Sequence, residues 1–395
     1  MKIGNTIYLD HQATTPVDSR VFAEMTPYFS ESFGNPHSSD HVLGWETSRA
    51  VEDAAARVAR LIGADADEII FTSGATEANN LALLGLARRA AGGKRNRVLV
   101  SAAEHKCVLA AARALEEQLG LQVEHLPVDA EGFVDACTFK NVLDDDVLLV
   151  SIMAANNEIG TIQDIEELSR IAKSYGAVFH CDAAQAPVAT DLSNFSEYVD
   201  MLSLSAHKMY GPKGIGAVYI ARELHDRIEP LIYGGGQQNG LRSGTTPVSL
   251  CVGMGAAADM FTDATAEVRR KELRHKRDRL VKGLKRLAWP ITVNGPEGPA
   301  RHPGNANIAF SGFAAHDVLA ALQPYVAAST GSACTSGIPE PSHVLKAIGL
   351  NSDAAESSIR FSPGFGTSDD DIDEAVNRIK EVLGKLSKAE LAQSA

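Results

Sequence analysis

The sequence predicts an α/β fold in which a mostly parallel sheet is covered by helices. The first observation is that several strand-like runs, such as residues 98–100 and 147–150, are continuously apolar, and strands of this kind are buried on both faces. The second is that each run leads into a polar cluster and then a helical pattern, as in βαβ units. The third is that functional groups follow these strands, at the edge where open α/β sheets bind ligands.

Composition and charge exclude several classes of protein. The chain has 395 residues, of which 45% are hydrophobic, and its net charge of −13 argues against direct binding of nucleic acid. We find no apolar run long enough for a membrane span and no secretory signal, so we expect a cytoplasmic protein. The five cysteines include no Cys-x-x-Cys pair, so we expect neither a disulfide framework nor a metal site.

The N-terminal part contributes little chemistry of its own. Residues 7–16 form a short extended segment that ends in turn residues, residues 34–39 have the composition of a loop, and residues 45–62 carry a helical pattern. Because loop histidines are usually solvated, we expect no function for His11 or His37.

A phosphate site is predicted where the strand over residues 69–72 ends. The chain breaks at Ser73-Gly74, and apolar residues then recur at helical spacing, which places Ala75 and Thr76 in the first turn of a helix. Free N–H groups and the helix dipole attract phosphate there, and the Thr76 hydroxyl adds a donor. A plain capped helix would use the same residues, so this signal is not decisive by itself.

Lys208 and Asp182 give the strongest indication of chemistry. Each follows an apolar strand, and 26 residues separate them, which leaves room for a loop and one further strand. A lysine beside apolar surface can lose its proton and form an imine, while a carboxylate can keep a pyridine nitrogen protonated. We therefore interpret Lys208 as the Schiff-base lysine of an enzyme that uses pyridoxal phosphate (PLP).

Two further strand ends extend this arrangement. His105 follows the strand over residues 98–101, where an imidazole can stack on a cofactor ring and move protons. Asn157 follows the strand over residues 147–153 and offers an amide to the ring hydroxyl or to a substrate carboxylate. Functional groups collected at one sheet edge are a stronger signal than any one of them alone.

The composition changes near residue 260, where a charge-rich helix begins. Acidic residues interleave with the basic ones over residues 267–278, which is typical of a solvated helix face. A second set of strands starts at residues 305–310. We therefore expect a large domain over residues 16–260 and a smaller α+β domain formed by residues 1–15 and 261–395.

Cys334 is the cysteine with the clearest functional signal. Its neighbours over residues 329–341 are small residues, glycines and prolines, which are typical of an exposed loop without a core role. A reactive thiol is therefore favoured over a packing role. Cys107, Cys137, Cys181 and Cys251 are interpreted as structural.

Several short sequence motifs resemble those of the cysteine desulfurases of the NifS-like and IscS-like group. These are PLP-dependent enzymes of the class V aminotransferase superfamily. The motifs occur in the family's order and span residues 8–362 of the chain. They occupy residues 8–16, 71–77, 104–106, 156–160, 180–185, 205–208, 242–245, 331–336 and 358–362.

The resemblance implies a fold-type-I PLP enzyme and assigns roles to residues. It gives the imine to Lys208, the pyridine nitrogen to Asp182, and the ring oxygen to Gln185. Arg360 and Asn157 would bind the substrate carboxylate, and Cys334 would accept sulfur as a persulfide. The cofactor phosphate would be held by Ala75, Thr76, Ser205, His207 and, from the other subunit of a homodimer, Thr245, with His105 over the ring.

The function implied is conversion of L-cysteine to L-alanine, with sulfur passed through Cys334 to an acceptor protein whose identity stays open. The acceptor would serve iron–sulfur clusters, thio-cofactors or nucleic-acid sulfuration. A transaminase or a selenocysteine or cystine lyase would use the same cofactor residues without needing Cys334. A non-enzymatic sulfur carrier would explain Cys334 but leave Asp182, Gln185 and Lys208 without a reason.

Overall fold

A computed structural model describes residues 1–331 and 342–393 of the chain. The strands are β1 (Lys2–Ile3), β2 (Thr6–Tyr8), β3 (Ile69–Thr72), β4 (Arg97–Ser101), β5 (Gln122–Leu126), β6 (Val147–Ser151), β7 (Val178–Asp182), β8 (Met201–Ser205), β9 (Gly216–Ile220), β10 (Ile291–Asn294), β11 (Ala306–Phe310), β12 (Val326–Ala327) and β13 (Ser358–Phe361). The α-helices are α1 (Ser19–Met25), α2 (Pro27–Ser30), α3 (Val42–Ile62), α4 (Ala75–Ala90), α5 (Lys106–Leu119), α6 (Ala136–Val142), α7 (Ile165–Ser174), α8 (Ala186–Ala189), α9 (Phe195–Tyr198), α10 (Val248–Thr262), α11 (Ala266–Leu284), α12 (Ala315–Leu322), α13 (His343–Ala347), α14 (Ser352–Glu356) and α15 (Asp369–Gln393). Short 3-10 turns include Ala206–Lys208 and Arg222–Arg227.

The largest sheet has seven strands in the order β3-β9-β8-β7-β6-β4-β5. The neighbours from β5 to β8 pair in parallel, whereas β9 is antiparallel to both β8 and β3. Every residue of β6, β7, β8 and β9 is buried, which is why these strands read as continuous apolar runs. The predicted α/β fold with a mostly parallel sheet is confirmed.

A smaller antiparallel sheet, in the order β10-β11-β13, lies on the C-terminal part of the chain. Its core combines Phe310 and Phe361 with Ile7 and Leu9 from the N-terminus. An isolated bridge between Asp10 and Ser362 continues this contact towards the cavity described below. The N-terminal segment therefore packs with the C-terminal strands; the exact domain boundary near residue 260 stays a prediction.

His11 corrects one expectation drawn from the sequence. Its side chain is only 5% exposed and its ring lies beside Tyr8 and Tyr210, so the imidazole is a packed group and not a solvated one. Burial is the largest cause that lowers its pKa to about 4.

Across the described ranges, no helix has the length and apolar character needed to cross a membrane.

His180 connects three neighbouring strands inside the large sheet. Its Nδ1 lies 2.8 Å from the Ser151 hydroxyl on β6, and its Nε2 lies 3.0 Å from the Ser203 hydroxyl on β8. The side chain is fully buried, and burial lowers its pKa to about 4. The imidazole is therefore neutral in the folded protein at pH 7.

The pH dependence of stability tests this arrangement. Below about pH 6.5 a histidine in the unfolded chain binds a proton, whereas His180 in the folded protein stays unprotonated until about pH 4. The free energy of unfolding should therefore fall as the pH drops from about 6.5 to about 4. For this one group the fall is at most about 1.4 kcal/mol per pH unit. In His180→Asn we expect lower stability at pH 7.5 but a shallower fall between pH 6.5 and 5, measured by urea unfolding at one protein concentration. His125→Asn, at an exposed position of β5, is the control. Equal slopes in wild type and His180→Asn would contradict the buried neutral state.

Candidate active site

A cavity of about 510 Å³ lies at the carboxyl edge of the large sheet. Polar side chains from the ends of β3, β4, β7 and β8 meet there with Asn157, which follows β6, and with Arg360 of the smaller sheet. Among the predicted site residues, the following line it: Ala75, Thr76, His105, Asn157, Asp182, Gln185, Ser205, His207, Lys208 and Arg360.

The two other predicted site residues are Thr245 and Cys334. Thr245 is exposed and does not line it, so its expected contact with the phosphate would require another subunit. Cys334 lies outside the described residues. The ranges on either side of it end at Gly331 and begin at Ser342, and both Gly331 and the nearby His343 line the cavity.

The start of α4 forms one end of the cavity. β3 ends at Thr72, and Gly74, at φ 152°, turns the chain so that Ala75 and Thr76 open the helix. A Cβ at Gly216 would lie 2.6 Å from the Gly74 carbonyl carbon and from the Leu204 oxygen, so β9 passes directly beside this turn. The first-turn N–H groups, which a helix does not use internally, lie at the cavity with the Thr76 hydroxyl.

Asp182 occupies the end of β7, and its carboxylate is held from two sides. Oδ2 accepts a hydrogen bond of 2.7 Å from the Asn79 amide, and Oδ1 accepts one of 2.9 Å from the Ala184 backbone N–H. Both side chains are buried. The carboxylate is thus fixed in direction, as a partner for a cationic ring nitrogen must be.

His105 is a neutral imidazole whose tautomer the backbone sets. Cys107 N–H donates to Nδ1 at 3.2 Å, so the proton of the neutral ring lies on Nε2. The Cys107 sulfur is 3.0 Å from the same nitrogen and accepts a hydrogen bond from Asn79 at 3.2 Å. Burial is the main cause that lowers the pKa of His105 and raises that of Cys107 to about 12.

The connection from Asp182 to His105 through Asn79 and Cys107 was not predicted from the sequence. Cys107, interpreted as a structural cysteine, lies in the cavity wall as a neutral thiol beside His105. Asn79 is fully buried on α4. An asparagine among the apolar positions of a helix was the available signal, since a buried amide needs hydrogen-bond partners.

Lys208 follows β8 in a short 3-10 turn and meets the N-terminal segment. Its Nζ donates to the carbonyl oxygens of Gln12 and Ala13 at 2.5 and 2.9 Å. The Gln185 amide donates to the same Gln12 oxygen at 2.9 Å. The contact of this segment with Lys208 was not predicted from the sequence.

His207 lies beside the predicted phosphate position. Its Nδ1 is 3.1 Å from the Thr14 hydroxyl. Burial, followed by the charges of Lys208 and Lys213, lowers the pKa of His207 to about 4. The ring is therefore neutral, and a hydrogen bond rather than a charge is what it can offer an anion.

Arg360 projects from β13 and is nearly buried. Its Nη2 pairs with the Asp10 carboxylate at 2.6 Å and bonds the Ser329 hydroxyl at 3.0 Å, while its Nη1 donates to the Asn157 carbonyl at 2.8 Å. Its Nε is buried and has no hydrogen-bond partner among the described residues. The guanidinium therefore has donor capacity left for a ligand in the cavity.

Glu104 is a second buried acid that the sequence did not distinguish. Its Oε1 accepts a hydrogen bond of 2.5 Å from the Met153 backbone N–H. Burial and then the negative charge of Asp182 raise the pKa of Glu104 well above its usual range. Glu104 therefore keeps its proton to a higher pH than a solvated glutamate does.

Comparison with known proteins places the chain among relatives over nearly its whole length. The family model described as aminotransferase class V matches residues 7–375. A cysteine desulfurase IscS of Rickettsia akari is 46% identical over 386 residues, covering 97% of this chain and 92% of the relative. A cysteine desulfurase IscS of Rickettsia bellii is 45% identical over 382 residues, with 96% and 92% covered.

Solved structures agree with these relatives. A structure described as a NifS-like protein has a TM-score of 0.88 at 34% identity and covers 96% of this chain and 99% of its own. A structure of SspA in complex with cysteine has a TM-score of 0.78 at 36% identity, with 90% and 98% covered. The expected fold-type-I architecture is confirmed by these likenesses.

Proposed function

The chain belongs to the class V aminotransferase family, and on that premise we propose that it is a PLP-dependent cysteine desulfurase. The observation that carries the proposal is that Lys208, Asp182 and Arg360 line one cavity, together with relatives named cysteine desulfurase at up to 46% identity. The related structure with bound cysteine supports L-cysteine as the substrate.

The cavity fits the cofactor by the chemistry of its donors. The start of α4 with Thr76, and the Ser205 and His207 side chains, suit a phosphate. Asp182 suits the ring nitrogen, Gln185 the ring oxygen, and His105 the ring face. When bound, PLP would supply an electron sink for the bonds at the substrate α-carbon.

The residues of the chain would then divide the remaining work. Lys208 would carry the cofactor and move the proton at the substrate α-carbon, since its Nζ is already held by two carbonyl oxygens at the cavity. His105, with its proton on Nε2, would donate one to the substrate. Arg360 and Asn157 would bind the substrate carboxylate and so fix which bond faces the cofactor.

Sulfur transfer requires a thiol, and we assign that role to Cys334. In the balanced reaction, L-cysteine and the Cys334 thiol give L-alanine and a Cys334 persulfide: the carbon–sulfur bond of the substrate breaks and a sulfur–sulfur bond forms. The persulfide sulfur then passes to an acceptor protein. The four cysteines of the described ranges offer weaker candidates, since Cys107, Cys181 and Cys251 have raised pKa values and Cys137 does not line the cavity.

We also propose a homodimer with shared active sites. Five aromatic side chains are at least 59% exposed: Phe22, Phe29, Phe33, Trp45 and Tyr233. Exposed aromatic residues in this number favour a protein interface. His37, four positions after Phe33 in the chain, lies 3.4 Å from the hydroxyl of Thr246, which follows Thr245, the residue expected to reach the partner's phosphate site.

Replacing the thiol and the lysine separately tests the proposed reaction. Cys334→Ser should keep the cofactor absorption and still change it on addition of L-cysteine, but should lose alanine and persulfide formation by about 100-fold or more, because an alcohol cannot accept the sulfur. Lys208→Ala should fail at an earlier step, so L-cysteine should not produce the wild-type change in the cofactor absorption. Cys137→Ser, an exposed cysteine outside the cavity, is the control. Alanine release by Cys334→Ser at the wild-type rate would replace the desulfurase by a lyase.

Subunit complementation tests the shared site. We expect a species of twice the 42.0 kDa chain mass in sedimentation. Thr245→Asp should repel the phosphate and inactivate the enzyme, as should Lys208→Ala. Co-expressed, the two variants form a heterodimer in which one site carries both changes and the other carries neither, so activity should return. No recovery in an isolated heterodimer, or an active monomer, would reject the shared site.

A further inference from the structure

Gln12 has a buried hydrogen-bond donor for which the described chain supplies no acceptor. Its side chain is 3% exposed, the residue lines the cavity, and its Nε2 has no partner. The side-chain oxygen, in contrast, accepts a hydrogen bond of 2.7 Å from the Asn305 amide. A buried amide donor without a hydrogen bond destabilises the folded protein. A ligand atom that accepts a hydrogen bond from this nitrogen would remove that cost.

The orientation of the Gln12 amide is fixed by a buried arginine. Arg301 has only donors, and its Nη1 bonds the Asn305 oxygen at 3.2 Å, which turns the Asn305 nitrogen towards Gln12. That nitrogen also donates to the Glu158 carbonyl at 3.0 Å. If Gln12 were reversed, two N–H groups would face each other. The Gln12 oxygen therefore faces Asn305 and its nitrogen is left available.

Arg360, which lines the same cavity, also has a buried hydrogen-bond donor without an acceptor in the described part of the chain. Arg360 Nε is buried without a partner among the described residues, while the two terminal nitrogens of that guanidinium contact Asp10, Ser329 and Asn157. Two donors of fixed polarity that line one cavity suit a ligand with two acceptor oxygens, as a carboxylate has.

We propose that Gln12 is a specificity-determining residue whose Nε2 donates a hydrogen bond to the α-carboxylate of the substrate, in addition to Arg360. The inference rests on the proposed function for the identity of the substrate. The Gln12 carbonyl, which accepts from Lys208 and Gln185, belongs to the backbone, so a side-chain change leaves those contacts in place. Arg301 and Asn305 act through Gln12 and are positioning residues.

Two ligands that differ only in the carboxylate test the proposal. The holoenzyme is titrated with L-alanine and with ethylamine, and binding is followed by the cofactor absorption. In Gln12→Met, which keeps the side-chain length without the donor, the apparent Kd for L-alanine should rise about tenfold, as for one lost charge-assisted hydrogen bond. The Kd for ethylamine should stay within about twofold. Gln118→Met, at an exposed position of α5, should match wild type for both ligands.

Two further variants separate recognition from packing. Gln12→Glu still accepts from Asn305 but places a negative charge by the carboxylate, so the Kd for L-alanine should rise further than in Gln12→Met. In Asn305→Asp the new carboxylate can only accept a hydrogen bond, so the Gln12 amide should reverse and donate its N–H to residue 305. The Gln12 oxygen would then face the ligand, and L-alanine should bind as weakly as in Gln12→Met. Steady-state turnover of L-cysteine should show the loss in KM, with kcat within about twofold of wild type.

Several results would overturn the proposal. Equal weakening of both ligands would make Gln12 a packing residue, loss of the cofactor itself would place its amide against PLP, and an unchanged Kd for L-alanine would remove any role. Failure of the wild type to turn over L-cysteine would refute the proposed function instead, and the titrations with L-alanine and ethylamine would still decide the role of Gln12.

Discussion

The contact between Lys208 and the carbonyl oxygens of Gln12 and Ala13 is the constraint on which the site depends. Lys208 follows strand β8 of the large sheet, whereas the N-terminal segment packs with the C-terminal strands through Ile7 and Leu9. The hydrogen bonds therefore hold the edge of the large sheet against the smaller one, and Arg360 of β13 reaches the same cavity as Lys208. Displacement of the N-terminal segment would change the lysine environment and the carboxylate site together.

Burial and hydrogen bonding set the charges in this cavity. Asp182 receives two hydrogen bonds, whereas burial and then the charge of Asp182 raise the pKa of Glu104 well above its usual range. His105 and His207 are held neutral, mainly by burial. The lysine, the arginine and the helix start thus face a pocket suited to a ligand with a phosphate, a carboxylate and a cationic ring. Asn79 and Cys107 connect the Asp182 carboxylate to the His105 imidazole through hydrogen bonds and close contacts.

Much of the fold and site was predictable because buried parallel strands leave a strong pattern. The runs that became β4, β6, β7 and β8 were recognised from continuous apolar residues, and the groups at their ends followed from the shared direction of the strands. β5 was missed because its residues are mostly exposed or half-buried, and β10 is likewise partly exposed. Contacts such as Gln12 with Lys208, 196 positions apart, leave no local pattern. The same reason explains why His11 was expected to be solvated.

The most direct test of the account is to identify the lysine that carries the cofactor. Borohydride reduction of the purified protein, followed by proteolysis and mass spectrometry, fixes the cofactor to its lysine. Lys106 and Lys213 line the same cavity as Lys208, so the chemistry of the cavity alone does not choose among them. Our account predicts the reduced cofactor on the peptide that contains Lys208 and on no other. A label on Lys106 or Lys213, or a purified protein that binds no PLP, would contradict it.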